Sequence, residues 1–198
     1  MRVSEPVRRQ SLMESLENRI CLSDTSTTGI ALADVNGDGR KDLIVTRFGH
    51  SGGLTVRLGN GDGTFGAASH PAGYTFARGA AVDVGDFNQD GSVDIVVYGG
   101  FSGAGGGGSG GLYVLLNGGG GAFATPARIG GTAFNGLSTG SLNDVKLAVA
   151  DVNGDGHTDI AVSDPHLAFR GRHKAYGPEQ YLLLGNGDGT FANGTPIT

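Results

Sequence analysis

The 198-residue chain contains 39 glycines, nearly three times the usual share, but only 6 prolines, which excludes a collagen-like or polyproline architecture. Its single cysteine, Cys21, excludes an intrachain disulfide and a cysteine-based zinc site, and no run approaches the roughly 20 apolar residues of a membrane-spanning helix. A formal net charge of −5 has the wrong sign for nonspecific nucleic-acid binding.

Residues 1–26 carry four basic and four acidic groups, so the whole acidic excess lies further along the chain. Ser11 followed by Glu14 is a capping-box pattern, and Leu12, Leu16 and Ile20 recur at helical spacing, which predicts a short amphipathic helix. About ten residues of helix are marginal alone in water, so a disordered tail is the competing expectation. Leu16, Glu17, Arg19 and Leu22 resemble the L-E-P-R-x-L-L motif at the start of large exported bacterial proteins, while Asn18 and Cys21 depart from it. That resemblance implies an extracytoplasmic location, although Ile20-Cys21-Leu22 is too short for the apolar core of a secretory signal.

From residue 27 the sequence repeats. Ile30–Ala33 reads as a strand that enters the loop Asp34–Asp42, and the β-branched run through Thr46 leads out of it. A third strand, Leu54–Leu58, ends in the turn Gly59-Asn60-Gly61-Asp62-Gly63-Thr64-Phe65. The same order recurs with loops at 86–94 and 151–159 and turns ending at Phe123 and Phe191. A weaker fourth strand follows each phenylalanine, as in Ala122–Ile129. The predicted repeats are about 27–79, 80–145 and 146–198. Four short strands per repeat predict an all-β chain of three propeller blades.

Nine of the fifteen acids beyond residue 26 fall in the three loops, each of which reads D-x-N-x-D-G-x-x-D. Oxygen-bearing side chains at positions 1, 3 and 5 of a tight turn converge, and glycine at position 6 permits the bend. Any residue at position 7 supplies a carbonyl, and position 9 adds a carboxylate. The donors are Asp34, Asn36, Asp38, Arg40 (carbonyl) and Asp42; then Asp86, Asn88, Asp90, Ser92 and Asp94; then Asp151, Asn153, Asp155, His157 and Asp159. All are hard oxygens, which suits Ca²⁺ better than Mg²⁺. A helical EF-hand loop is excluded because its position 12 must be acidic, and here it is Val45, Val97 and Val162. Three acidic turns without metal is the competing reading, set against the repulsion of three carboxylates in one short turn.

These repeats resemble FG-GAP/VCBS-type repeats, the blades of integrin-α-like β-propellers. The resemblance covers residues 27–198 and implies three Ca²⁺ sites on the residues just named. The second loop departs from the pattern only in carrying Gln89 where the others have Gly37 and Gly154. The family implies adhesion or recognition of a protein or glycan outside the cytoplasm. A propeller belonging to an exported polysaccharide-degrading enzyme, or a gene fragment without independent function, are the alternatives.

Other features point less far. Asp62 and Asp188 sit in hairpin turns whose middle copy has Gly120, so turn chemistry accounts for them. Gly103–Gly108 fits a dinucleotide fingerprint by letter, but a strand-like run follows where a helix is required. The insertion 163–180 gathers His166, Phe169, Arg170, Arg172, His173, Lys174 and Tyr176, which suits either an anionic partner or a solvated loop. No histidine stands at catalytic spacing to a nucleophile, so no enzyme activity is expected. Three blades are fewer than the four to eight of a closed propeller, so the arc is expected to be open, to self-associate, or to form part of a larger ring.

Overall fold

The computed structural model describes residues 27–47, 53–71, 76–101, 110–131, 145–164, 169–170, 173–174 and 180–197. The expected N-terminal helix and export-like motif lie outside them. Among the described residues the chain is all-β, with no helix.

Three antiparallel sheets follow one another along the chain. The first contains β1 (Thr27–Ala33), β2 (Asp42–Arg47) and β3 (Leu54–Arg57) in the order β1-β2-β3. The second contains β4 (Phe76–Gly85), β5 (Asp94–Phe101), β6 (Gly110–Leu115) and β7 (Ala127–Ile129), also in chain order. In the third, β8 (Lys146–Ala150), β9 (Asp159–Ser163), β12 (Gln180–Leu183) and β13 (Thr195–Pro196) again pair consecutively. Within the last insertion, β10 (Phe169–Arg170) and β11 (His173–Lys174) form a separate hairpin that sets Arg170 opposite His173.

The predicted four-strand blade is met in full by the second and third sheets. In the first, the fourth strand shrinks to a bridge, with Val56 and Ser69 exchanging both backbone hydrogen bonds at 2.9 and 2.8 Å. β4 begins at Phe76, ahead of the expected division at residue 80. The glycine run at 103–108 connects antiparallel β5 to β6, so a strand follows it and not a nucleotide-binding helix.

Strand alternation sends successive side chains to opposite faces, and both faces of the middle blade are apolar. Val82, Ile95, Val97, Tyr113 and Leu115 pack on Ala33, Val35, Ile44, Leu54 and Val56 of the first blade. From the opposite face, Ala81, Val96, Tyr98, Leu112 and Val114 pack on Ile160, Val162 and Leu183 of the third. The first strands of successive blades lie side by side, β1 against β4 and β4 against β8. Close approach there needs glycine. A Cβ on Gly29 would stand 3.0 Å from the Val82 nitrogen, and one on Gly85 2.8 Å from Val149 Cγ1.

Polar contacts fix the stacking. The buried Tyr98 hydroxyl donates to Asp164 Oδ2 at 2.7 Å across the second interface. Burial, then the Asp164 charge, push the Tyr98 hydroxyl far above its ordinary range, so it stays a donor at any pH the protein meets. The repeated turns of the second and third blades also clasp the loop of the blade before them. Asn117 Nδ2 donates to the Val35 carbonyl at 2.7 Å and to Val93 at 3.0 Å. In the next blade, Gly189 N donates to the Phe87 carbonyl at 2.9 Å, and Phe191 meets the Phe87 ring edge-on with centroids 5.6 Å apart.

Phe87 is fully buried in this clasp. Phe87→Ala is expected to cost about 3–5 kcal/mol. Asn117→Ala should cost about 1–3 kcal/mol by orphaning two carbonyls. Equilibrium urea unfolding measures both, and a change below 0.5 kcal/mol (about the scatter of ordinary surface substitutions) in either would contradict the clasp.

Candidate functional site

The three loops share one hydrogen-bond plan. The position-1 aspartate accepts amides from the far side of the turn: Gly37 (2.8 Å) and Gly39 (2.7 Å) on Asp34, Gly91 (2.9 Å) on Asp86, and Gly156 (2.9 Å) on Asp151. The position-3 asparagine donates through Nδ2 to the position-5 carboxylate, at 3.1 Å for Asn36–Asp38 and 2.8 Å for both Asn88–Asp90 and Asn153–Asp155. The position-5 carboxylate in turn accepts the amide of position 7, from Arg40, Ser92 and His157 at 2.9, 2.7 and 2.8 Å. Positions 1, 3 and 5 thereby share one exposed turn.

Position 9 sits differently. Asp42, Asp94 and Asp159 are buried, and both oxygens of each accept backbone amides. One oxygen takes the amide of loop position 2, from Val35, Phe87 and Val152, each at 2.9 Å. The other takes the amide that opens the repeated turn, from Gly59, Asn117 and Gly185 at 2.8, 2.7 and 2.9 Å. Sequence spacing places these carboxylates in the ligand set. The structure adds a second task, tying the loop to the end of the third strand.

The electrostatics follow the hydrogen bonds. At Asp34 desolvation works upward, but the amides of Gly39, Gly37 and Asp38 together outweigh it and hold the carboxyl below its ordinary range. The Ser92 amide and then Asn88 lower Asp90; the His157 amide and then Asn153 lower Asp155. Each lowered carboxylate contributes stability above the unfolded-state value, and that stability is lost as pH falls through the folded one. Asp94 has the opposite sign. Burial raises it against the amides of Asn117 and Phe87, so its contribution declines as pH rises from the ordinary value through the raised one.

Gln89 is the one described non-glycine residue with positive φ, +59°, where Gly37 and Gly154 take +76° and +77°. Its left-handed backbone is offset by a bond that glycine cannot make. Gln89 Nε2 donates to the Gly156 carbonyl at 3.0 Å, joining the second loop to the third. The downstream turns behave as turns, since Asp62 and Asp188 each accept the amide of the threonine two residues on at 2.9 Å.

The donor chemistry of the loops fits a hard divalent cation. Positions 1, 3 and 5 present oxygens at the surface, and position 9 retains the lone pairs that its two amides leave free. In the conformation described, no group of three or more His, Cys, Asp or Glu side chains among the described residues is drawn together tightly enough to hold a metal ion. The Asx-type bonds to backbone amides use the same carboxylates an ion would draw inward.

Sequence reasoning missed Asn117, which replaces the glycine found at 59 and 185 and bonds two blades at once. The signal was the break in the repeat itself: a polar side chain where two copies carry none.

With this geometry in place, comparison with known proteins is informative. A family model for the FG-GAP-like repeat matches residues 34–97 and 101–162, and the chain belongs to that family. Curated proteins give no match. Among solved structures, the chain is similar to an Agrocybe aegerita lectin described as specifically recognising non-reducing terminal N-acetylglucosamine. The two are 26% identical with a TM-score of 0.53, over 84% of this chain and 37% of that one. The chain thus spans little more than a third of the lectin's length.

Asp94→Ala is expected to destabilise the chain by about 2–3 kcal/mol, with or without calcium, by stranding two buried amides. Asp90→Ala should change metal-free stability far less and act chiefly when calcium is present. Thermal melts of both variants with CaCl₂ and with a chelator make the comparison. Equal metal-free losses would remove the distinction between position 9 and position 5.

Proposed function

We propose that the chain is a calcium-stabilised propeller module that recognises a glycan outside the cytoplasm, in adhesion and not in catalysis. The observation that carries this reading is its likeness, along most of its length, to a lectin of the same fold. Of the two partner classes expected from the sequence, protein and glycan, that likeness favours the glycan. By sequence, the insertion 163–180 gathers Arg170, Arg172, His173 and Lys174 in a chain of net charge −5, which suits a ligand bearing anionic groups.

Calcium has a structural part in this reading. Asp34, Asn36, Asp38 and the Arg40 carbonyl, with Asp42 beneath, would hold one ion; the corresponding residues of the loops at 86–94 and 151–159 would hold two more. An ion there relieves the repulsion among carboxylates and stiffens the turn that the next blade clasps. Extracellular calcium modules bind at 10⁻⁴–10⁻³ M, and an ion bound only to the folded chain stabilises it by mass action.

Isothermal titration with CaCl₂ is expected to show three ions bound. Asp38→Ala, Asp90→Ala and Asp155→Ala should each remove one, and chelation should lower the melting temperature. No calcium uptake by the intact chain would sink the metal assignment. A glycan array that includes N-acetylglucosamine-terminated oligosaccharides, read with and without calcium, tests recognition. Silence across the array, or product in a polysaccharide-cleavage assay, would overturn the binding reading.

A further inference from the structure

Seven asparagines of the chain are followed by glycine, which has no Cβ to shield its backbone nitrogen from the asparagine carboxamide. Six of these pairs lie in the described residues, and the fold guards five of them. At loop position 3 the glycine amide faces a carboxylate, Gly37 N donating to Asp34 Oδ1 at 2.8 Å and Gly154 N to Asp151 Oδ1 at 2.7 Å. Both ends of each carboxamide are also held. Asn36 Oδ1 accepts the Asp38 amide at 3.1 Å and Asn153 Oδ1 the Asp155 amide at 3.0 Å, while Nδ2 donates to the same aspartate. Asn117 is buried with its Nδ2 shared between two carbonyls, and Gly118 N donates to the Ala122 carbonyl at 3.0 Å. Asn193 lies against the second blade, where a Cβ on Gly131 would stand 2.5 Å from its Oδ1. Asn186 is exposed, but Gly187 is half-buried between His157 and Gln89.

The pair Asn60–Gly61 lacks these guards. Both residues are exposed, and among the described residues no group accepts the Gly61 amide. The Asn60 carboxamide is held through Nδ2, which donates to Thr64 Oγ1 at 2.9 Å. Asp62, the nearest carboxylate along the chain, accepts the amide and the hydroxyl of Thr64. The neighbour of Gly61 is instead a cation, with Arg40 Cδ 3.1 Å and Nε 3.7 Å from where a Cβ would stand. A carboxylate acceptor makes an amide proton harder to remove, and a nearby guanidinium makes it easier.

We propose that Asn60 is a site of spontaneous covalent modification, deamidating in the folded chain ahead of the five other described Asn-Gly pairs. The Gly61 nitrogen loses its proton and attacks Asn60 Cγ. The N–Cγ bond forms, the Cγ–Nδ2 bond breaks, and ammonia leaves with the proton. Water, the only co-reactant, then opens the five-membered succinimide at one of its two carbonyls, leaving aspartate or isoaspartate; nothing is oxidised or reduced. Neither calcium nor a glycan enters these steps. Either product adds a negative charge to the turn. Isoaspartate also adds a main-chain carbon inside the segment that Asn60 N closes onto the Thr64 carbonyl at 3.0 Å, next to the Gly59 amide held by Asp42. At Gly37 and Gly154 a bond to a charged acceptor must break before attack, which corresponds to a rate about ten- to a hundredfold lower.

Peptide mapping by mass spectrometry, with isoaspartate detection, follows each asparagine while the full chain is held in mildly alkaline buffer. A parallel sample in concentrated urea reports the same sequence without the fold. In the native sample Asn60 is expected to convert first, with Asn36 and Asn153 about ten- to a hundredfold slower. In urea those three should converge, because each is followed by the same Gly-Asp-Gly. Conversion of Asn36, Asn117, Asn153, Asn186 or Asn193 as fast as Asn60 in the native chain overturns the proposal. So does an intact native Asn60 over a period in which the urea sample converts. A lead of Asn60 over Asn36 and Asn153 that persists unchanged in urea overturns it too, since the fold would then not be its cause.

Discussion

A carboxylate cannot be buried cheaply unless its oxygens are hydrogen-bonded, and this chain buries one at the same place in every blade. Asp42, Asp94 and Asp159 each join two backbone segments 24 to 33 residues apart, the second residue of the loop and the first residue of the turn. The first and third strands of a blade share no hydrogen bonds, so the ladder alone does not set the end of one against the other. The aspartate does. With the loop floor fixed, positions 1, 3 and 5 can be displayed above it, and the turn is held where it reaches the preceding blade.

That reach makes the array cooperative. The clasp by Asn117 or by Gly189 engages the carbonyl of loop position 2, whose own amide is already bound to the position-9 aspartate. A single peptide segment thus links the metal-type loop, the buried carboxylate and the next blade. Gln89 adds a second link, from loop to loop, at the cost of a left-handed backbone. Ordering of one loop is therefore felt at its neighbour through direct bonds, as expected of repeat arrays whose stability resides in nearest-neighbour interfaces.

The repeated blocks serve the scaffold, and the repeats differ in the connections between them. The connections between β5 and β6 and between β9 and β12 vary in length and composition while the blocks on either side do not. In the latter, the chain builds a hairpin of its own that belongs to no blade.

Much of this was legible in the sequence, because the signals are local. Strand alternation, glycine at tight turns and the D-x-N-x-D-G-x-x-D spacing each act within about ten residues, so the three-blade order and the exposed oxygen donors follow from reading along the chain. The reduction of the first blade's fourth strand to a bridge at Ser69 was less visible, since a short edge strand has little composition of its own. What the tertiary structure alone decided concerns partners far apart in sequence. Spacing assigns Asp42, Asp94 and Asp159 to the ion, but only folding brings the amides of Gly59, Asn117 and Gly185 onto them. Asn117 reads as one more turn residue until the first blade is stacked against it. Likewise Val35, Phe87 and Val152 are equivalent by position, and what separates the buried pair from the exposed one is whether a neighbouring blade lies above it. A sequence encodes each blade's two faces, but which of them finds a partner is settled by assembly.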